Sequence, residues 1–144
     1  MTIQRWAAGL ARDIQVTKIN RFIGVGTVGF LVDASVFFGL TLSLGAPYAY
    51  ARISASLVAI ALTWLLNRSK TFVGQSVDPP AKEFLRYLAA SLIGAMVNLT
   101  TMSAVSMYGT LLWHIPAYVA GAITGMIANY LLYNNIVFHG RNRD

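Results

Sequence analysis

Basic and amide side chains gather at the ends of long apolar stretches, where they suit binding of an anionic group. The residues concerned are Arg21, Asn67, Arg68, Lys70, Arg86, Asn129 and Asn134. Arginine offers a planar fork to a phosphate, and lysine offers a compact charge. We therefore predict a site for an anionic lipid headgroup. The alternative is that these cations only set the topology and attract acidic lipids.

Three polar residues, Asp33, Arg52 and Asn98, lie inside apolar stretches. A charge within a bilayer costs about 3 kcal/mol or more, so such residues need a partner or a function. At a rise of about 1.5 Å per residue, Arg52 lies roughly 10 Å nearer one membrane face than Asp33. We predict that these two interact, and that all three residues line a polar path for a headgroup or an ion. The alternatives are a structural ion pair at Asp33 and an Arg52 that extends to the outer headgroups.

No set of residues indicates catalysis. The chain has no cysteine, no paired carboxylates and no Ser/His/Asp constellation, and its two histidines, His114 and His139, lie far apart. Gly24-Val25-Gly26 lies within an apolar stretch, so it is not a nucleotide-binding loop. We expect a protein that is not an enzyme and that uses no cofactor, no metal and no nucleic acid.

The composition identifies the elements that carry these residues. Of 144 residues, 56% are hydrophobic and only 11% are charged, against about 25% charged in soluble domains. This excludes an ordinary soluble enzyme and a disordered chain. Four stretches are long enough to cross a bilayer: Phe22–Leu44, Tyr48–Leu66, Tyr87–Met107 and Ile115–Leu132. Since two of the links are short, we predict an all-α integral membrane protein made of two helical hairpins.

The two hairpins repeat one another. At an offset of about 65 residues Arg21 matches Arg86 and Asp33 matches Asn98. Small residues recur every fourth position, at Ala51, Ala55, Ala59 and Thr63 in the second span and at Ala117, Gly121, Gly125 and Asn129 in the fourth. Such ridges let membrane helices approach closely. Because each repeat has two spans, both share one orientation. Within a single domain over 1–144 we expect an N-terminal segment (1–20), a first repeat (21–75), a linker (76–83) and a second repeat (84–140).

The distribution of cations predicts the orientation. Ten of the eleven Lys and Arg residues lie on one side, and the hairpin turns carry none. By the positive-inside rule that side is cytoplasmic, as are both termini, and the protein lies in the inner (cytoplasmic) membrane. Over residues 3–17, Ile3, Trp6, Leu10 and Ile14 share a face opposite Arg5 and Arg12. This pattern predicts an interfacial amphipathic helix before the first span.

Three short motifs carry a resemblance to a known family. They are RFIGVG at 21–26, LLNRSKTF at 65–72 and NYLLYNNIVF at 129–138. With four spans and duplicated halves, the chain resembles the GtrA-like family of small membrane proteins. The resemblance implies that it flips polyprenyl-phosphate-linked sugars, such as undecaprenyl-phosphate-glucose, to the outer leaflet for a membrane glycosyltransferase that builds cell-surface polysaccharide. It implies a phosphate site at Arg21, Asn67, Arg68 and Lys70. Asn134 stands where the family often has an arginine, which makes the first half the stronger site.

Two other functions fit the sequence. The first is a small proton-coupled exporter of drugs or polyamines that uses Asp33, and the second is a non-transporting anchor for a glycosyltransferase. Four helices enclose little volume, so we also expect a homodimer surrounded by membrane lipids.

Overall fold

A computed structural model describes residues 3–107 and 114–139, with side chains described over 13–107 and 115–139. Within these residues the chain is helical and contains no strand. The helices are α1 (Ile3–Phe38), α2 (Tyr48–Leu66), α3 (Pro80–Met107) and α4 (His114–Leu132). The segments apolar and long enough to cross a bilayer are Asp13–Ser43, Tyr48–Thr71, Pro80–Met107 and Ile115–Val137. The predicted all-α membrane fold with four spans is confirmed.

Helix α1 differs from the prediction at its start. It runs from Ile3 without a break through Phe22, where the first span was predicted to begin. No proline and no residue of positive φ interrupts it, so the segment predicted as a separate interfacial helix continues into the span. The predicted apolar face at Ile3, Trp6 and Leu10 lies outside the described side chains.

Helix α3 also begins earlier than predicted, at Pro80 instead of Tyr87. Proline is favoured in the first helical turn, because the N–H group that it lacks would have no partner there. The main-chain N–H of Glu83 donates to the carbonyl oxygen of Pro79 at 3.0 Å, which closes that first turn. The proline pair thus starts a helix, so the last part of the predicted linker is helical.

The chain divides into two compact units, Met1–Val73 and Gly74–Asp144. In the first, α1 packs against α2, and in the second α3 packs against α4. We call these units the first and second hairpins. The first hairpin turns at Gly45, whose φ of 62° suits glycine, and the N–H of Ala46 donates to the carbonyl of Leu40 at 2.9 Å. The predicted turn at 108–114 lies, apart from its last residue, outside the described part of the chain.

Both hairpins bury the same sets of positions. On α1 and α2 the buried positions include Phe22, Val25, Gly29, Ala51 and Ala55, and on α3 and α4 they include Tyr87, Ala90, Gly94, Ala117 and Gly121. The first three of each set differ by 65 and the last two by 66. The small-residue ridge of each second helix thus lies against its hairpin partner, where it permits close approach. Many large apolar side chains are exposed, as lipid contact requires.

Each hairpin ends in a wide helical turn. Helix α2 passes into Asn67–Thr71, and α4 passes into Tyr133–Val137. These are π-helical turns: the N–H of Phe72 donates to the carbonyl of Asn67 at 2.7 Å, and the N–H of Phe138 donates to that of Tyr133 at 2.8 Å. We call them the first and second closing turns. Such turns often occur at functional sites.

Candidate functional site

The first closing turn carries three of the predicted phosphate-binding residues. Its width directs Asn67, Thr71 and the following Phe72 to the inside, where they are 1%, 6% and 0% exposed. Arg68 remains half-buried and Lys70 exposed. Oγ1 of Thr71 is buried and makes no hydrogen bond within the described residues. The turn therefore separates a buried polar side from a cationic surface.

Arg21 joins helix α1 to the first closing turn. Its Nη1 donates to the carbonyl oxygen of Lys70 at 3.1 Å. The last carbonyls of a helix lack helical partners, and a cation near them is favourable. The structure thus brings Arg21, Arg68, Lys70 and Asn67 to one end of the first hairpin.

Two cations at this end contact aromatic rings. Nζ of Lys18 lies 4.6 Å from the ring centre of Phe72, and the guanidinium carbon of Arg68 lies 5.7 Å from that of Trp64. Such contacts are favourable, more so where water is excluded. The sequence analysis did not single out Lys18 or Trp64. Helical periodicity offered a signal, because Lys18 precedes the buried Phe22 by one turn and Trp64 precedes Arg68 by one turn.

The two hairpins differ in charge at this end. Among the side chains that the structure describes, the first has four cations against one carboxylate, a net charge of +3: Lys18, Arg21, Arg68 and Lys70 with Asp13. Over the same described residues, the second has two cations against two carboxylates, a net charge of zero: Lys82 and Arg86 with Asp78 and Glu83. A surface of one sign raises the local concentration of the opposite ion. The described side chains at this end of the first hairpin therefore carry the larger positive charge.

Asp78 forms ion pairs with both described cations of the second hairpin, Lys82 and Arg86. It accepts from Arg86 and lies 2.8 Å from Nζ of Lys82. The hydrogen bond from Lys82, followed by the charges of Arg86 and Lys82, holds the pKa of Asp78 below its usual value although partial burial opposes this. Arg86, predicted to bind phosphate, already has a carboxylate partner.

The remaining predicted residues of the second hairpin have other surroundings. Asn129 packs over Gly94, so that a side chain added at Gly94 would overlap its amide. Its buried Oδ1 makes no hydrogen bond among the described residues. Nδ2 of Asn134 donates to Oδ1 of Asn135 at 2.9 Å. Gly94 lies eight residues beyond Arg86, about 12 Å along the helix, so Asn129 contacts α3 about two turns farther along the span than Arg86.

Asp33 and Arg52 form an ion pair within the first hairpin, as predicted. Nη2 of Arg52 also donates to Oγ of Ser56 at 2.9 Å, and the guanidinium carbon lies 5.5 Å from the ring centre of Phe37. Since Ser56 is one turn farther from the hairpin turn, Arg52 extends into the span and not out of it. In the second hairpin Asn98 packs against the glycine notch of Gly121 and Gly125.

Comparison with known families adds an independent finding. The model of the family described as GtrA/DPMS, transmembrane domain, matches residues 21–142. The match begins at Arg21 and covers both hairpins, including both closing turns. No curated protein matches the chain.

Proposed function

Because this chain belongs to the GtrA/DPMS transmembrane-domain family, a family of membrane proteins linked to lipid-linked sugars, we propose that it is a flippase. It carries a polyprenyl-phosphate-linked sugar from the cytoplasmic to the outer leaflet, for glycosylation of cell-surface polysaccharide. The observation that supports this best is the net charge of +3 of the described side chains at the end of the first hairpin. In this proposal the protein moves its substrate without chemical change, so it is not an enzyme.

The phosphate binds at the first closing turn in this proposal. Arg68 supplies a planar fork, and the ring of Trp64 supports its guanidinium. Lys70 adds a mobile charge, Arg21 ties the turn to α1, and Asn67 supplies an amide beside it. The arginine and asparagines of the second hairpin have a secondary part, since Asp78 already neutralises Arg86 there.

The polar residues within the spans form the path in this proposal. Asp33 and Asn98 lie at intermediate depth and Arg52 lies nearer the outer face, and a phosphate in transit needs polar contacts at both levels. The ion pair weakens the alternative of a proton-coupled exporter, because Asp33 is already bound to Arg52 and is not an isolated acid.

We also propose the setting in which the protein works. Both termini face the cytoplasm, and the membrane is the cytoplasmic (inner) one, because ten of the eleven cations lie on one side. Outside, a membrane glycosyltransferase uses the delivered sugar. The chain works as a homodimer, since two helical hairpins alone enclose little volume.

Binding of a polyprenyl-phosphate sugar to the protein in nanodiscs tests the function. A hydrogen bond to a charged group contributes about 1.5–3 kcal/mol, so Arg68→Ala weakens binding roughly tenfold to a hundredfold. Arg68→Lys keeps the charge but loses the fork and recovers only part of the affinity. Lys82→Ala, which removes a cation from the second hairpin, is the matched control and leaves binding within about twofold.

Equal affinity for wild type and Arg68→Ala, with the helical content intact, would contradict the phosphate site. If Arg68→Ala also supported surface glycosylation in cells and still copurified with a glycosyltransferase, the anchor function would replace the flippase function.

A further inference from the structure

Arg52 keeps open donors inside the membrane. Only its Nη2 is engaged, by Asp33 and by Ser56 at 2.9 Å. Among the described residues the guanidinium makes no other hydrogen bond, so the N–H groups on Nε and Nη1 remain open. The Arg52 side chain is 43% exposed, and that of Asp33 is 20% exposed. The ion pair thus presents a charged, hydrogen-bonding edge to the outside of the hairpin.

The depth of this edge is unusual for such a group. The span Tyr48–Thr71 has 24 residues, which is about 36 Å of helix against a hydrocarbon core of about 30 Å. If the span is centred, Arg52 lies roughly 3 Å and Ser56 roughly 9 Å inside the core. Arginine at this depth ordinarily extends to the nearer headgroups. Here Asp33 and Ser56 hold it inward, with its open donors below the headgroup level.

We propose that Arg52 is a second phosphate site. It lies at the end of the first hairpin where the chain turns at Gly45. The open donors and positive charge of Arg52 suit a lipid-linked phosphate, while Asp33 neutralises Arg52 when no ligand is present. The polyprenyl phosphate as ligand rests on the function proposed above. A bulk phospholipid must sink several ångström to reach this edge, whereas a phosphate in transit passes it.

Lipid counting tests this site separately from the first one. The full chain is placed in phosphatidylcholine nanodiscs with undecaprenyl phosphate as the probe, and native mass spectrometry counts the lipids retained per chain. Wild type retains two. Arg68→Ala retains one and Arg52→Gln retains one, with affinity at the lost site lowered about tenfold to a hundredfold.

Two further variants separate binding from folding. Asp33→Asn with Arg52→Gln leaves no unpaired charge in the span, and it retains one lipid if Arg52 binds phosphate. If Arg52 binds phosphate, Asp33→Asn alone removes its carboxylate partner and increases the affinity for lipid at the second site. If the pair is purely structural, Asp33→Asn and Arg52→Gln change lipid retention in the same way. Two lipids retained by Arg52→Gln and by the neutral double variant would overturn the proposal and leave the flippase function standing.

The source of the phosphate is decided by a second arm with phosphatidylglycerol and no undecaprenyl phosphate. Arg52-dependent retention of undecaprenyl phosphate, without such retention of phosphatidylglycerol, supports a substrate site. Arg52-dependent retention of phosphatidylglycerol, with no retention of undecaprenyl phosphate, would keep the phosphate site, overturn its assignment to the substrate and count against the flippase.

Discussion

The close contact of Gly121 on α4 with the backbone of α3 gives a sharp test of the packing. A Cβ atom at Gly121 would lie 2.7 Å from the main-chain oxygen of Asn98 and 3.1 Å from Cβ of Met102. Ordinary contact begins at 3.4 Å, so the helices must separate locally by about 0.7 Å. The obstacle is a helix backbone, which cannot rotate away as a side-chain tip can. Overpacking of this kind costs about 1–3 kcal/mol.

Gly26→Ala is the matched control, because a Cβ there meets nothing within 4 Å. Both substitutions gain up to about 1 kcal/mol of helix propensity. The free energy of unfolding of Gly121→Ala should therefore lie about 1–3 kcal/mol below that of Gly26→Ala. Equilibrium unfolding in detergent, followed by circular dichroism, measures both. Equal stability of the two variants would refute the inference that glycine at position 121 is required by the α3–α4 contact.

Three further predictions concern charge and orientation. Asp33→Asn and Arg52→Gln should each lower the free energy of unfolding. The double variant should lose less than the sum of the two single losses, because it leaves no unpaired charge in the span. Additive losses would show that the two charges act independently. The pKa of Asp78 is lowered in the folded protein, so its contribution to stability is present above its unfolded pKa of about 3.9 and disappears as the pH falls through the folded value. Asp78→Asn should therefore flatten the dependence of the free energy of unfolding on pH in that acid range, and an unchanged dependence would contradict this. Cysteine at Ala46 should react with an impermeant maleimide from outside, and cysteine at His139 only after permeabilisation; the reverse pattern would invert the proposed topology.

The repeat explains why the two hairpins can share a fold and differ in chemistry. The buried positions Phe22 and Tyr87 match at an offset of 65, as do Gly29 and Gly94, so both hairpins close in the same way. At the same offset Lys18 matches Glu83. At an offset of 66, Asn134 and Ile136 replace Arg68 and Lys70, while Lys82 adds one cation, so the described side chains of the second end sum to zero charge. Packing constrains the interior positions, while charge at the ends is free to diverge.

Some features of this fold could be predicted from the sequence because they depend on composition and local spacing. The low share of charged residues requires a membrane, and the length of each apolar stretch sets the number of spans. The small-residue ridges and the Asp33–Arg52 pair could be predicted because helical rise and periodicity determine depth and face. The end of α2 at Leu66 and of α4 at Leu132 was predicted correctly for the same reason.

Other features were decided only by the tertiary structure. Whether a helix end widens into a π turn, as at Asn67–Thr71, depends on which buried side chains the partner helix accepts. The pairing of Arg86 with Asp78, of Arg21 with the carbonyl oxygen of Lys70 and of Lys18 with the ring of Phe72 depends on distances across folded elements. A cation is counted in the sequence, but the folded chain determines whether a carboxylate, a carbonyl or a ring lies within reach of it. For this reason the sequence predicted a cationic membrane face, and the structure determined that Lys82 and Arg86 on the second hairpin are paired with Asp78.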